Sequence, residues 1–213
     1  VRNVLGILPG KDQSKFVVIG AHYDHLGTRN GIIYNGSDDN GSGASGLLAL
    51  VKAWVASGMQ PACNLIFASW TAEEEGLLGS EYFAQQLAKQ PKNILLYINM
   101  DMISRSETSD STQRKLSIGT RTSDENLREL GRKSNLTLDH PFNLDLWDVT
   151  GHSGSDYASF TAKNIPVMTY NTGLHDDYHT PRDISVTADL VKMGDVLKLV
   201  NESLQVFLDQ ISK

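Results

Sequence analysis

Continuous apolar runs alternate along this chain with segments whose apolar residues recur every three to four positions. The runs Val4 to Leu8, Phe16 to Ala21, Leu65 to Trp70, Ile94 to Met100, Leu116 to Ile118 and Pro166 to Tyr170 predict strands. Helical spacing marks Leu47 to Val55, Glu81 to Lys89, Asp156 to Ala162 and Ala188 to Ile211. Ser123-Asp124-Glu125-Asn126 has the character of a capped helix start, with the helix running to about Ser134. Pro9-Gly10 reads as a turn, and the Ser- and Thr-rich residues 104–114 read as a surface loop. Strands alternating with helices predict βαβ units and a mostly parallel sheet. No internal repeat, low-complexity tract or linker divides the chain.

The 213 residues suffice for one domain with a full core, residues 1–213 being read as a single unit. A net charge of -6 is a poor match for nucleic acid or an anionic membrane. No apolar run is long enough to span a bilayer, and no signal peptide opens the chain. The single cysteine, Cys63, excludes an internal disulfide and reads as a packed core thiol.

Chemistry gathers where the predicted strands end. Ala72-Glu73-Glu74-Glu75-Gly76 lies between a buried strand and a helix, where α/β proteins place ligands. Adjacent carboxylates there repel unless something positive lies between them. His22 closes the strand before it, with Asp24 two residues on and on the same side. Asp24 can then fix the imidazole tautomer, as the carboxylate behind a metal-bound histidine does. Gly36-Ser37-Asp38-Asp39-Asn40-Gly41-Ser42-Gly43 puts an acidic pair before a helix. Taken alone it reads as a capped turn. Asp101 ends a third apolar strand, and a charge there needs a partner. His179 lies in Asp177-Tyr178-His179-Thr180-Pro181, after the last strand. Two imidazoles and several carboxylates at one sheet edge suit zinc, with cobalt or manganese as substitutes.

His22-Tyr23-Asp24, Ser37-Asp38-Asp39-Asn40-Gly41-Ser42-Gly43, Ala72-Glu73-Glu74-Glu75-Gly76, Asn99-Met100-Asp101-Met102 and Asp177-Tyr178-His179 occur in that order. Together they resemble the motifs of the M28 family of co-catalytic dizinc metallopeptidases. Ser155-Asp156, Phe160 and Ile165-Pro166 resemble a further segment of it. The resemblance runs from about Asn3 to Asp189. It implies a three-layer α/β/α sandwich around a mixed, mostly parallel sheet. It also implies two zinc ions per chain. His22 and Asp101 would hold one, Glu74 and His179 the other, and Asp39 would bridge them. The peptide after Asp39 would be cis. Glu73 would be the general base, Tyr178 a donor to the oxyanion, and Asp24 the partner behind His22. Four cationic charges would meet three from Asp39, Glu74 and Asp101 and a fourth from a bridging hydroxide.

The activity implied is aminopeptidase cleavage of peptides with a free N-terminus by a secreted or periplasmic enzyme. Met102-Ile103 after Asp101 resembles the family's aminopeptidase branch. A carboxypeptidase would need arginines aimed at a terminal carboxylate, with Arg29, Arg105 and Arg182 as candidates. The related alternatives are a glutaminyl cyclase, which uses one zinc, and a non-catalytic receptor-like module. Family members also carry helical sequence ahead of the position of Asn3, and some an inserted protease-associated domain. Phe142, Trp147 and Tyr170 are read as core or as the apolar wall of a substrate pocket. His25, His140 and His152 are read as structural or exposed, and so is His175, whose place near His179 offers the lining of a substrate cleft as the second reading.

Overall fold

The computed structural model describes residues 2–87, 93–149 and 154–212. The strands are β1 (Val4–Leu8), β2 (Asp12–His22), β3 (Gly27–Arg29), β4 (Ile32–Tyr34), β5 (Cys63–Trp70), β6 (Asn93–Met100), β7 (Lys115–Thr120), β8 (Asn143–Asp148) and β9 (Val167–Asn171). The helices are α1 (Gly43–Ser57), α2 (Leu78–Gln86), α3 (Glu125–Asn135), α4 (Tyr157–Thr161) and α5 (Leu190–Ile211). Seven strands form one sheet in the order β1-β5-β2-β6-β9-β7-β8. Among the described pairs of this sheet, only β1–β5 and β7–β9 are antiparallel. Helices cover both faces, so the fold is the mixed three-layer α/β/α sandwich that the resemblance implies.

The central strands are continuously apolar because both of their faces are buried. Val17 and Ile19 of β2 face one core with Leu47, Leu50 and Trp54 of α1, Leu127 and Leu130 of α3, and Val196, Leu199 and Leu204 of α5. Val18 faces the other, with Ile66, Trp70 and Tyr97, closed by Phe83 of α2 and Phe160 of α4. The spacing of Leu47, Leu50 and Trp54 along α1 is that of a helix burying one stripe. Helix α5 starts where Asp189 accepts the backbone N–H groups of Val191 and Lys192, a side-chain cap. Among the described residues no helix is long and apolar enough to cross a membrane.

Three strands and the start of one helix depart from the sequence reading. The hairpin β3–β4 was not anticipated, although its Asn30-Gly31 turn carries φ of 51° and 77°, the left-handed pair that a tight hairpin demands. Strand β8 was not anticipated either. It alternates Leu144, Asp145, Leu146 and Trp147 at the sheet's edge, so it has no continuous apolar run. Helix α2 begins at Leu78 rather than Glu81, and Lys89, its expected end, lies outside the described residues. Phe142 and Tyr170 are core residues, whereas Trp147 is partly buried with its ring 5.9 Å from that of Tyr157.

Parallel pairing has one consequence for the site. Strands β5, β2, β6 and β9 point the same way, with His22 opposite Trp70 and Met100 opposite Tyr170. Their C-terminal ends therefore share one edge, where ligands of open α/β sheets bind.

Candidate active site

Four strand ends and one loop converge at that edge. His22 is the last residue of β2, Glu73 and Glu74 follow β5, Asp101 follows β6, and His179 lies in the segment after β9. Asp39 comes from the irregular turn Ser37–Ser42 before α1.

The two carboxylate oxygens of Asp39 face different partners. Oδ1 is 3.5 Å from His22 Nε2, which is itself 3.4 Å from Asp101 Oδ1. Oδ2 is 3.0 Å from His179 Nε2, which is 3.3 Å from Glu74 Oε2. Donors about 2.0–2.2 Å from a tetrahedral zinc stand about 3.3–3.6 Å from one another. The imidazole–carboxylate distances of both groups, 3.0 to 3.5 Å, lie near that spacing. Glu73 Oε2 is 3.9 Å from His22 Nε2.

Backbone wiring holds these groups together. The Asp24 carboxylate accepts the N–H of Glu73 at 3.1 Å and of Glu74 at 3.2 Å, tying the β2 end to the β5 end. It stands 3.8 Å from His22 Nδ1, whose nearer partner is the Asp24 carbonyl at 3.2 Å. Asp24 therefore supports the site more through the Glu73–Glu74 backbone than through the imidazole. Asn40 donates to the Met100 carbonyl and accepts the N–H groups of Gly43 and Met102, tying the Asp39 turn to the end of β6. The Asp39–Asn40 peptide is cis, as the resemblance implies. Buried Asp183 accepts the N–H groups of Asp38 and Asp39 from beyond His179. His175 is buried with Nε2 3.4 Å from Asp38 Oδ2, and Asp38 accepts from Ser104 and Arg105.

The electrostatics show a cluster short of positive charge. Burial and neighbouring carboxylates raise the carboxyl of Asp39 and push that of Glu73 up to about 8. Burial opposes protonation of His22, yet Asp101 and Glu73 outweigh it and raise the imidazole. Burial likewise acts against the Glu74 carboxylate, but His25 and His179 hold its pKa down. Asp39 Oδ2, Glu74 Oε1 and Asp101 Oδ1 are buried and lack a hydrogen-bond partner among the described residues. Orphaned anionic oxygens beside imidazoles fit a divalent cation, and the nitrogen and oxygen donors suit zinc. The Tyr178 ring stacks on that of His179 at 3.8 Å, and burial raises its hydroxyl above the ordinary range.

The histidines divide differently from the sequence reading. His140 is exposed and His175 is structural, while His152 lies outside the described residues. His25 is neither exposed nor remote: its side chain is 8 % exposed and Nδ1 stands 2.8 Å from Glu74 Oε1. The signal was present in the sequence, since His25 follows His22 within His22-Tyr23-Asp24-His25. A loop position offered no period from which its direction could be read.

The profile of Peptidase family M28 matches residues 3–203. A probable leucine aminopeptidase of Trichophyton verrucosum is 32% identical over 208 residues, covering 93% of this chain and 55% of that protein. The chain thus spans about half the length of that relative. LapB from Legionella pneumophila superposes with a TM-score of 0.83 at 21% identity, covering 96% of this chain and 54% of that one. BSAP, a zinc aminopeptidase from Bacillus subtilis, superposes with a TM-score of 0.77 at 24% identity, covering 97% and 50%. These two solved structures share the fold, and the family profile spans nearly all of the sequence, so this chain belongs to peptidase family M28.

Proposed function

We propose that this chain carries the active site of a zinc-dependent aminopeptidase that removes N-terminal residues from peptides, with two zinc ions at the Asp39 carboxylate. The observation that carries the reading is the double facing of Asp39: one oxygen toward His22 and Asp101, the other toward His179 and Glu74. The names of the relatives support the aminopeptidase direction. Two of the three candidate arginines support it too. Arg105 and Arg182 both bind Asp177, at 3.0 and 2.6 Å, which leaves them engaged rather than aimed at a terminal carboxylate. The acidic edge of the site suits an ammonium group.

Zinc, when bound, supplies a Lewis acid for the scissile carbonyl and lowers the pKa of a water. His22, Asp101, Asp39, Glu74 and His179 would hold it. Glu73 takes the proton of the attacking water and returns it to the leaving amine. Burial raises the basicity of Glu73, which suits that exchange. Tyr178 keeps its proton because burial and Asp39 raise its pKa, and it donates a hydrogen bond to the developing oxyanion.

The test is hydrolysis of aminoacyl-anilides by the zinc-loaded chain, with and without a chelator. Cleavage is expected for free amino termini, none for N-acetylated ones, and loss on chelation. Cyclisation of N-terminal glutamine with one zinc per chain would replace this reading with a cyclase.

A further inference from the structure

We propose that His25 is a positioning residue of the second metal position, holding Glu74 by its Oε1 so that Oε2 is presented toward His179 and Asp39. The inference rests on the two-zinc reading above. Two imidazoles flank the Glu74 carboxylate. His179 Nε2 is 3.3 Å from Oε2, and His25 Nδ1 is 2.8 Å from Oε1. His25 Nδ1 also lies 3.6 Å from Asp39 Oδ2, so the ring borders both carboxylates of that position. The imidazole rings of His25 and His179 meet edge-on, with centroids 5.6 Å apart.

The His25 ring is fixed from behind. Gly36, in the left-handed region at φ 61°, lies close against it. A Cβ there would fall 2.3 Å from His25 Cγ and 2.7 Å from its Cβ. Only glycine lets the backbone approach so closely at that φ. The ring is therefore wedged between the Gly36 backbone, three residues ahead of Asp39, and the Glu74 carboxylate. Its contact with Glu74 is one of close approach, Nδ1 standing 2.8 Å from Oε1. A carboxylate held by one oxygen has the other free and oriented for an ion. Partners that orient a metal ligand typically alter metal affinity about 10–100-fold when removed.

The experiment compares the unmodified chain with His25→Leu and His25→Asn, the latter keeping a donor near the place of Nδ1. Zinc affinities are read by competition with a chromophoric chelator, and the second ion is replaced by cobalt for absorption spectroscopy. The expected result is a second zinc bound about 10–100-fold more weakly in His25→Leu, with the first unchanged. His25→Asn should recover most of that loss. The cobalt spectrum of fully loaded His25→Leu should match that of the unmodified chain, because the donor set is the same. Equal zinc affinities in His25→Leu and the unmodified chain would overturn the inference and leave the two-zinc reading standing. A changed cobalt spectrum would overturn it by making His25 a ligand. An unmodified chain that binds only one zinc would sink this inference and the proposed function together.

Discussion

If Asp39 serves two ions at once, zinc should stabilise the fold in steps that depend on which donor is removed. Zinc bound by the folded chain and not by the unfolded one stabilises by about 2.7 kcal/mol per site at a hundredfold excess over Kd, hence about 5.4 kcal/mol for two sites. Unfolding entropy of roughly 2.1 cal/mol/K per residue gives about 450 cal/mol/K for 213 residues. The expected rise in Tm on zinc loading is therefore about 12 °C. His22→Ala breaks only the group made with Asp101 and Asp39 Oδ1, so its zinc-induced rise should fall to about 6 °C. Asp39→Ala removes an oxygen from both groups, and its rise should nearly vanish. Because each shift is read against the same variant in chelator, differences in metal-free stability cancel. Calorimetry at fixed free zinc measures all three. Equal shifts in the unmodified chain, His22→Ala and Asp39→Ala would refute the shared-carboxylate geometry.

Glu73→Gln should bind two zinc ions with near-normal affinity while kcat falls by about 10²–10⁴, the usual worth of a general base; near-normal turnover would remove Glu73 from the chemistry. Gly20→Ala should destabilise the chain by about 1–3 kcal/mol in urea unfolding. The added Cβ would lie 2.4 Å from Trp70 Nε1 and 2.8 Å from the Tyr97 hydroxyl, which now share a hydrogen bond. Burial pushes the Cys63 thiol up to about 11, so its thiolate fraction at pH 9 is only about one in a hundred. Iodoacetamide should label Cys63 slowly in the folded chain and rapidly in urea, and equal rates would contradict its burial.

Most of the sheet was legible because its central strands are buried on both faces, and a run such as Phe16 to Ala21 has no polar interruption to hide it. Strand β8 was illegible for the opposite reason. At the sheet's edge it alternates, and a search for unbroken apolar runs passes over Leu144, Asp145, Leu146 and Trp147. The hairpin β3–β4 lacks a core contribution altogether, since Ile32 and Ile33 are exposed, and only Asn30-Gly31 announced it. The gathering of His22, Glu74 and Asp101 at one edge could be read because each is tied to a strand end, and the direction of a parallel strand fixes where its end lies.

What no strand pattern could announce is how the separate ends are locked to one another. Asp24, Asn40 and Asp183 are each joined to backbone groups far away in sequence: Asp24 to Glu73 and Glu74, Asn40 to Met100 and Met102, Asp183 to Asp38 and Asp39. A side chain bonded to a peptide group leaves no mark on the partner's residue type, so such pairs do not show as complementary residues in the sequence. Yet they decide the chemistry. A carboxylate cluster this dense repels itself, and with buried oxygens left unpaired it would spread apart if its loops could move. Three polar side chains, none of them among the five candidate zinc ligands, close the gaps between β2 and β5, between the Asp39 turn and β6, and between that turn and the His179 segment. The candidate donors are thus held close together by backbone bonds rather than by their own attraction, which is the preorganisation the proposed metal site would need.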